Sequence, residues 1–259
     1  MRLKIMLLPE KRFFSLPINY QYQMSSSVYR IFQRGSESVA EWLHNSGFQD
    51  DKGRKLKLFN FSYLNFNRYE LEGKRIIGSG ETYFLFSAPI ETNLVKIFVS
   101  GVLKEPQFEL FFNENSVKFL ISSIEVQDNH IQDNIINYKT IAPVSVSIQK
   151  IEDGKKKIKY LAPSENIFAS QIEKNLLKKY KLIKGKEYSE KINISVQENT
   201  AKSKLISIKE GKNGNIKVKG YMCKLKIEAS PEMQKIAYYC GIGEKNSLGF
   251  GMIERINKN

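Results

Sequence analysis

The chain is poor in the residues that build metal centres and disulfide scaffolds. Its 259 residues include two cysteines and two histidines. Cys223 and Cys240 lie 17 positions apart with no Cys-x-x-Cys, which excludes a zinc ribbon or a disulfide framework and suits a reducing cytoplasm. No apolar run approaches the ~18 residues that a membrane span needs. The longest, Ile5 to Leu8 and Ile236 to Cys240, are very short. Near the N-terminus, Lys4 interrupts the apolar residues and Pro9 ends them, so no secretory signal is expected. Acid is also scarce: 27 Asp and Glu stand against 41 Lys and Arg, a formal charge of +14. Hydrophobic residues make up 41% and aromatics 12%, enough for a core, so global disorder is excluded. At roughly 100–200 residues per domain, the length suits one large domain or two ordinary ones.

The basic excess implies a polyanionic partner, either nucleic acid or an anionic membrane. A helical candidate from Glu173 to Lys186 holds six lysines. More telling is Ala201 to Ile227, with eight lysines and one acid, Glu210. Lys202 and Lys204, Lys217 and Lys219, and Lys224 and Lys226 are each two apart, which in a strand means one face. Leu205, Ile216, Val218, Leu225 and Ile227 are expected to point the other way. Tyr221 shares the parity of Lys217 and Lys219, so an aromatic is expected among the charges, as a phosphate backbone with stacked bases would need. A solvated strand face is the plainer reading; the whole-chain charge favours nucleic acid over it and over a membrane.

Periodicity gives the element order. A strand is expected from Arg2 to Leu8, and a helix from Ser25 to Gln33 carrying Val28, Ile31 and Phe32. Ser38-x-x-Glu41 reads as a capping box for a short helix that Gly47 ends. Strands over Leu56 to Leu64 and Thr82 to Ser87, a helix over Glu91 to Leu103 and a strand over Val117 to Val126 complete β-α-β-β-α-β. Gly78-Ser79-Gly80 reads as a hairpin bulge. Asp128 to Asn134 is a polar linker, and His130 within it reads as solvated. The order then repeats: strand Thr140 to Ile148, helix Asn166 to Leu182, strands Lys191 to Val196, Leu205 to Lys209 and Asn215 to Ala229, helix from Ser230-Pro231 to Tyr239, strand Phe250 to Ile256. The fold class is α+β, with two tandem ferredoxin-like domains over 1–127 and 135–259. Cys223 and Cys240 read as buried small hydrophobes.

One stretch is glycine-rich: Gly241-Ile242-Gly243-Glu244-Lys245-Asn246-Ser247-Leu248-Gly249-Phe250-Gly251. It follows a helix and lacks Gly-Lys-Ser/Thr after four residues, so it is neither a P-loop nor a dinucleotide fingerprint. Glycines two apart on both sides of a polar loop let a backbone approach phosphate, with Lys245, Asn246 and Ser247 as added donors. The alternative is a helix stop followed by an irregular turn. Followed by Met252-Ile253, the segment resembles the C-terminal motif of the repeat-associated RNA-binding superfamily, in particular the CRISPR repeat-processing endoribonucleases, Cas family 6. The N-terminal half is similar too: Tyr22 leads into a helix with Tyr29, then come Trp42-Leu43-His44 and Lys57-Leu58-Phe59. The resemblance covers essentially the whole chain and implies tandem ferredoxin-like domains.

The resemblance further implies cleavage of CRISPR precursor RNA within repeats, with no metal or cofactor. The ribose 2′-hydroxyl attacks the adjacent phosphate and leaves a 2′,3′-cyclic phosphate and a 5′-hydroxyl. It assigns catalytic roles to His44, Tyr29 and Lys57, and RNA contact to Gly241, Gly243, Lys245, Asn246, Ser247, Gly249 and Gly251. Lys217 and Lys219 join them from the cationic strand. The residues themselves are compatible. With no His-x-His, His-Glu-x-x-His or carboxylate cluster, metal-assisted hydrolysis has little support. RNA carries its own nucleophile, so an imidazole, a cation and a hydroxyl suffice to move protons and steady charge on phosphorus. His44 in the last turn of a helix is also a plausible plain cap. The cation has alternatives: Lys57 matches by the following Leu-Phe, Lys52 by spacing from His44, and Arg54 and Lys55 lie between. The expected partners are CRISPR repeat RNA and other Cas proteins of an effector complex, for a monomer or homodimer. The rivals are a non-catalytic RNA-binding subunit and an assembly protein that docks an acidic partner.

Overall fold

Alternation in the opening residues makes a strand. In the computed structural model, which describes residues 1–112, 115–127, 131–152, 154–209 and 216–256, β1 (Arg2–Pro9) turns Leu3, Ile5 and Leu7 inward. His130 and residues 210–215 lie outside the described residues. Beyond Pro9 the chain pairs again as β2 (Phe13–Pro17), which the sequence pattern does not suggest. α1 (Gln21–Gly35) outruns the expected helix at both ends and buries Met24, Val28, Ile31 and Phe32. α2 (Glu37–Asn45) is capped by Ser36, whose hydroxyl accepts from the Val39 N–H at 3.4 Å, so the expected cap at Ser38 lies inside the helix. The strand expected over Leu56 to Leu64 is broken up. β3 (Phe48–Gln49) and β4 (Lys55–Leu56) form a small hairpin, and β5 (Asn60–Phe61) joins the main sheet. β6 (Asn65–Glu72) and β7 (Arg75–Ser87) form a long hairpin whose ladder slips between Phe66 and Arg68, opposite Gly80. α3 (Leu94–Lys104) follows, then the hairpin β8 (Gln107–Phe112) and β9 (Asn115–Gln127), of which β8 is unanticipated.

The second half begins with β10 (Ile135–Thr140), upstream of the strand expected from Thr140. β11 (Ser147–Glu152) and β12 (Lys155–Tyr160) make a separate hairpin. After α4 (Ile167–Lys184), β13 (Asn193–Lys209) is one long strand where two are expected, with a register slip between Gln197 and Lys202. β14 (Ile216–Glu228), α5 (Pro231–Cys240) and β15 (Ile253–Arg255) complete the chain. Pro231 opens α5 as expected, while the hydroxyl of Ser230 turns to Tyr188.

Both sheets have the same order. In the first, β6 and β1 flank β7 and β9 pairs with β1, giving β6-β7-β1-β9 with β8 added at the edge. The second is β13-β14-β10-β15. Each half is thus a ferredoxin-like βαββαβ unit, and the molecule is two of them in tandem. Among the described residues no helix is long and apolar enough to cross a membrane.

The register corrects the reading of the cationic face. Lys202 pairs with Met222 and Lys204 with Gly220, so these two lysines share a face with Lys224 and Lys226. Lys217 and Lys219 lie on the opposite face, with Leu205. Tyr221 keeps their parity but is buried, edge-on to Phe168 under α4, because the helix layer begins at that point. It offers no open stacking surface, although the Lys219 ammonium lies 5.5 Å from its ring centre.

The first core is dense in aromatics, with Phe86 and Phe98 stacked at 4.0 Å. Its helices cross on glycine. A Cβ at Gly101 of α3 would lie 2.0 Å from the Ile31 carbonyl oxygen, and one at Gly35 would lie 2.1 Å from that of Ile97. Gly101→Ala in an open helix would raise stability by up to ~1 kcal/mol. Here it should lower it by ~1–3 kcal/mol through overpacking, read as an earlier urea midpoint at unchanged slope. An unchanged or later midpoint would show that the crossing has slack.

Candidate active site

His44 sits in the last turn of α2, exposed, with Nδ1 3.1 Å from the Asn45 side-chain oxygen. Gly47, at φ +62°, lets the chain leave the helix, and its N–H and that of Ser46 both donate to the Trp42 carbonyl. The β3–β4 hairpin then carries Lys52 out to an exposed tip, where the Asp50 carboxylate accepts from the backbone N–H of Lys52 and Arg54. Lys57 lies just past the hairpin, half-buried, and donates to the His44 carbonyl at 3.1 Å. Lys55 donates to that of Asn45. Of the four cations considered from sequence, Lys57 and Lys55 bond the end of α2, and Lys57 is the one on His44 itself. The bare Cα of Gly47 makes room for it, since a Cβ there would stand 3.0 Å from the Lys57 side chain. Burial, and then the charge of Lys55, lower the Lys57 pKa below the usual lysine value.

Tyr29 approaches from α1, half-buried, its ring edge-on to His44 with centroids 6.4 Å apart. Behind it stands Phe59, at 5.7 Å. Burial raises the Tyr29 phenol above its usual value, partly offset by the nearby Ser247 side chain. Ser247 belongs to the glycine-rich loop of the second domain, and its carbonyl also accepts from Ser25 Oγ at 2.9 Å. The cluster therefore lies on the seam between domains.

The loop is built around its own interior. Gly241, Gly243, Gly249 and Gly251 all have positive φ, and a Cβ at Gly251 would lie 1.9 Å from the Ile242 carbonyl oxygen. A Cβ at Gly249 would stand 2.8 Å from the Phe61 ring, so this glycine permits close contact with the first domain. Asn246 is turned inward: its Nδ2 donates to the carbonyls of Ile242 and Phe250. Its Oδ1 accepts from Lys179 Nζ at 2.7 Å, and the same ammonium donates to Gly241 and Gly243 carbonyls at 2.7 and 3.1 Å. Lys245 and Ser247 stay half-exposed. Lys217 and Lys219 are exposed on the second sheet.

Sequence reasoning missed Lys178 and Lys179. The signal for Lys179 lies in the apolar stripe Phe168, Ile172, Leu176, whose next member is this lysine; it is 2% exposed. Burial lowers its pKa to about 8, with the Cys240 thiol and Glu244 carboxylate as titratable neighbours. Lys178 has no such signal. It lines a cavity of about 240 Å³ with Arg54, Lys57 and Lys245, and burial followed by Arg54 lowers its pKa. A larger cleft of about 940 Å³ opens between the domains, lined by Tyr63, Phe66, Tyr69, Tyr83, Lys4 and Lys204. Both cysteines are free and buried.

Two ferredoxin-like domains with a tyrosine, a histidine and a lysine at their junction define a double-domain α+β class. The family model for CRISPR-associated protein Cas6, N-terminal, matches residues 15–125, and that for CRISPR associated protein Cas6, C-terminal, matches 126–255. The chain belongs to the Cas6 family of CRISPR-associated proteins. It is 28% identical over 246 residues to CRISPR-associated endoribonuclease Cas6 1 of Methanocaldococcus jannaschii, across 93% of this chain and 87% of the relative. It is also 28% identical over 260 residues to CRISPR-associated endoribonuclease Cas6 of Pyrococcus furiosus, across 98% and 89%. The structure of a Cas6-related protein from Pyrococcus furiosus aligns with a TM-score of 0.83 at 24% identity, over 100% of this chain and 99% of that one, and so shares the fold.

The buried ammonium has a thermodynamic signature. A lysine whose folded pKa is depressed from 10.5 to about 8 adds stability as pH rises between those values, since the unfolded chain binds the proton more tightly there. Between pH 7.5 and 9.5, wild type should therefore gain on the order of 2 kcal/mol over Lys179→Met in unfolding free energy. Parallel curves for the two proteins would mean that Lys179 titrates as a solvated lysine.

Proposed function

We propose that this protein is an endoribonuclease that cuts CRISPR precursor RNA within its repeats, without a metal, through 2′-hydroxyl attack. The observation that carries the reading is the meeting of Tyr29, His44 and Lys57 at the domain seam beside a cationic cavity. In the reaction a bond forms between the ribose 2′-oxygen and phosphorus, and the bond from phosphorus to the 5′-oxygen breaks. The 2′-hydroxyl proton must leave, and the departing 5′-oxygen must gain one. His44, with an exposed imidazole, takes the first proton. Tyr29 stays protonated because burial raises its pKa, so it serves as a donor. Lys57 steadies the charge that develops on the phosphoryl oxygens.

RNA binding has two supports. The cavity beside the cluster gathers Arg54, Lys178 and Lys245 around space for a phosphate, and Ser247 adds a hydroxyl at its edge. The larger cleft presents Tyr63, Tyr69 and Tyr83 with Lys4 and Lys204, a mixture of ring faces and cations that suits single-stranded RNA. The glycines act at one remove, by shaping the loop that carries Lys245 and Ser247. The relatives' names support the substrate class: both are CRISPR-associated endoribonucleases.

Incubation with end-labelled repeat RNA in EDTA tests the reading. Wild type should yield one cut with a 2′,3′-cyclic phosphate, and a single 2′-deoxy substitution at the cut should abolish it. His44→Ala should slow cleavage by ~10²–10⁴ and leave RNA affinity within a few-fold. Lys57→Ala should cost ~10²-fold and Lys52→Ala little; the reverse ranking would move the cation to the hairpin tip. Tight binding with no cut would make the protein a guide-RNA carrier.

Phosphate contact has its own measure. Lys178→Ala and Lys245→Ala should each weaken repeat-RNA binding and reduce the slope of log affinity against log salt by about 0.7 or less. His44→Ala should keep the wild-type slope. A slope unchanged in both lysine variants would remove the cavity from the binding surface.

A further inference from the structure

The glycine-rich loop hangs on one side chain from outside it. Lys179 lies on α4 with its ammonium in the second core, and three acceptors surround it: two loop carbonyls and the Asn246 amide oxygen. An isolated buried ammonium is costly, and an apolar residue on this stripe would be cheaper. The arrangement makes sense when the three N–H groups are needed to hold the loop. Asn246 passes the constraint on through its amide nitrogen to two more carbonyls, at Ile242 and Phe250. The next residue is Ser247, whose carbonyl accepts from Ser25 Oγ of the first domain at 2.9 Å. A path of direct hydrogen bonds and one peptide step thus runs from a buried lysine of the second domain to Ser25 on α1 of the first, four residues before Tyr29.

We infer that Lys179 is a positioning residue for RNA cleavage: its ammonium gives all three donors to the glycine-rich loop, and through Asn246 and the Ser247 carbonyl that loop is tied to Ser25, one helical turn before Tyr29. The inference rests on the endoribonuclease reading and deepens it. A phenol that donates to a leaving oxygen must be aimed, and a displacement near 1 Å costs about 10²-fold in rate. The half-buried ring of Tyr29 is held against Phe59, and its helix is tied to Ser247 of the other domain through Ser25.

The test is a double-mutant cycle in the full-length protein. Single-turnover cleavage at saturating enzyme is measured for wild type, Lys179→Met, Tyr29→Phe and the double variant, with affinity read separately on repeat RNA carrying a 2′-deoxy block. Lys179→Met should lower the rate by ~10–100-fold with affinity within about three-fold. In the Tyr29→Phe background the same substitution should have almost no effect, because the group it aims is gone. A merely structural role would reduce the rate by the same factor in both backgrounds, and that outcome overturns the inference. So does a Lys179→Met rate equal to wild type. Should Lys179→Met fail to fold, Ser25→Ala breaks the same path one step on, by removing the donor to the Ser247 carbonyl, and is held to the same two criteria. If wild type itself leaves the RNA uncut, the endoribonuclease reading falls and the positioning role falls with it.

Discussion

Three hydrogen bonds from one ammonium hold the part of the molecule on which the site depends. A protonated lysine carries three donors and no acceptor, and Lys179 meets three oxygens. A hydroxyl or an amide could not satisfy all three, and a methionine would satisfy none. The loop has four glycines at positive φ and a non-glycine, Lys245, in the left-handed region as well, so its own backbone preferences do not select a single shape. The lysine and Asn246 supply that selection from the inside. What then faces outward, Lys245 and Ser247, is placed by bonds on the buried side.

The seam between the domains has no dry, purely apolar character. Arg2 is buried there with its guanidinium 3.5 Å above the Tyr238 ring, and it donates to the Tyr238 carbonyl at 2.8 Å. Asn60 reaches the Tyr239 carbonyl, while Leu85, Ala142 and Met252 form a small apolar cluster beside them. Each directional contact admits one placement of the second domain on the first. That suits a cluster whose phenol and imidazole come from one domain while the loop tied to the phenol's helix comes from the other. A slippery apolar interface would leave their separation undefined.

Much of this was legible in the sequence, and the misses share a cause. The five α-helices and the doubled βαββαβ order follow from periodicity, and Tyr29, His44 and Lys57 from a local resemblance. Of the strands that stayed hidden, β2 and β8 bury alternate residues, Phe14 with Leu16 and Phe108 with Leu110, but aromatics at Phe13 and Phe111 on the outer face blur the alternation. The others, β6, β11 and β12, have no fully buried residue to mark a face. The broken stretch after Leu56 reads as one strand because its apolar residues are continuous; the register shows that they serve different cores. Lys217 and Lys219 have the parity assigned to them. No pattern along one strand can show that its partner places Lys202 and Lys204 on the other face, since that depends on a slip in β13. Lys179 is one of six lysines in the helical candidate from Glu173 to Lys186, and only its place on the stripe of Phe168, Ile172 and Leu176 sets it apart from the other five.

The residue after Lys57 explains how the cation keeps its position. Leu58, at φ +48°, packs into the second core, while Phe59 packs into the first. Two consecutive side chains thus peg the backbone from opposite sides, and the lysine before them is held from downstream. The hairpin that separates it from His44 bears none of that load. Segments of different length could therefore occupy the gap and still deliver an ammonium to the same point. Counting residues from the histidine then leads to the exposed hairpin tip, whereas the hydrophobic pair leads to the lysine that bonds the His44 carbonyl.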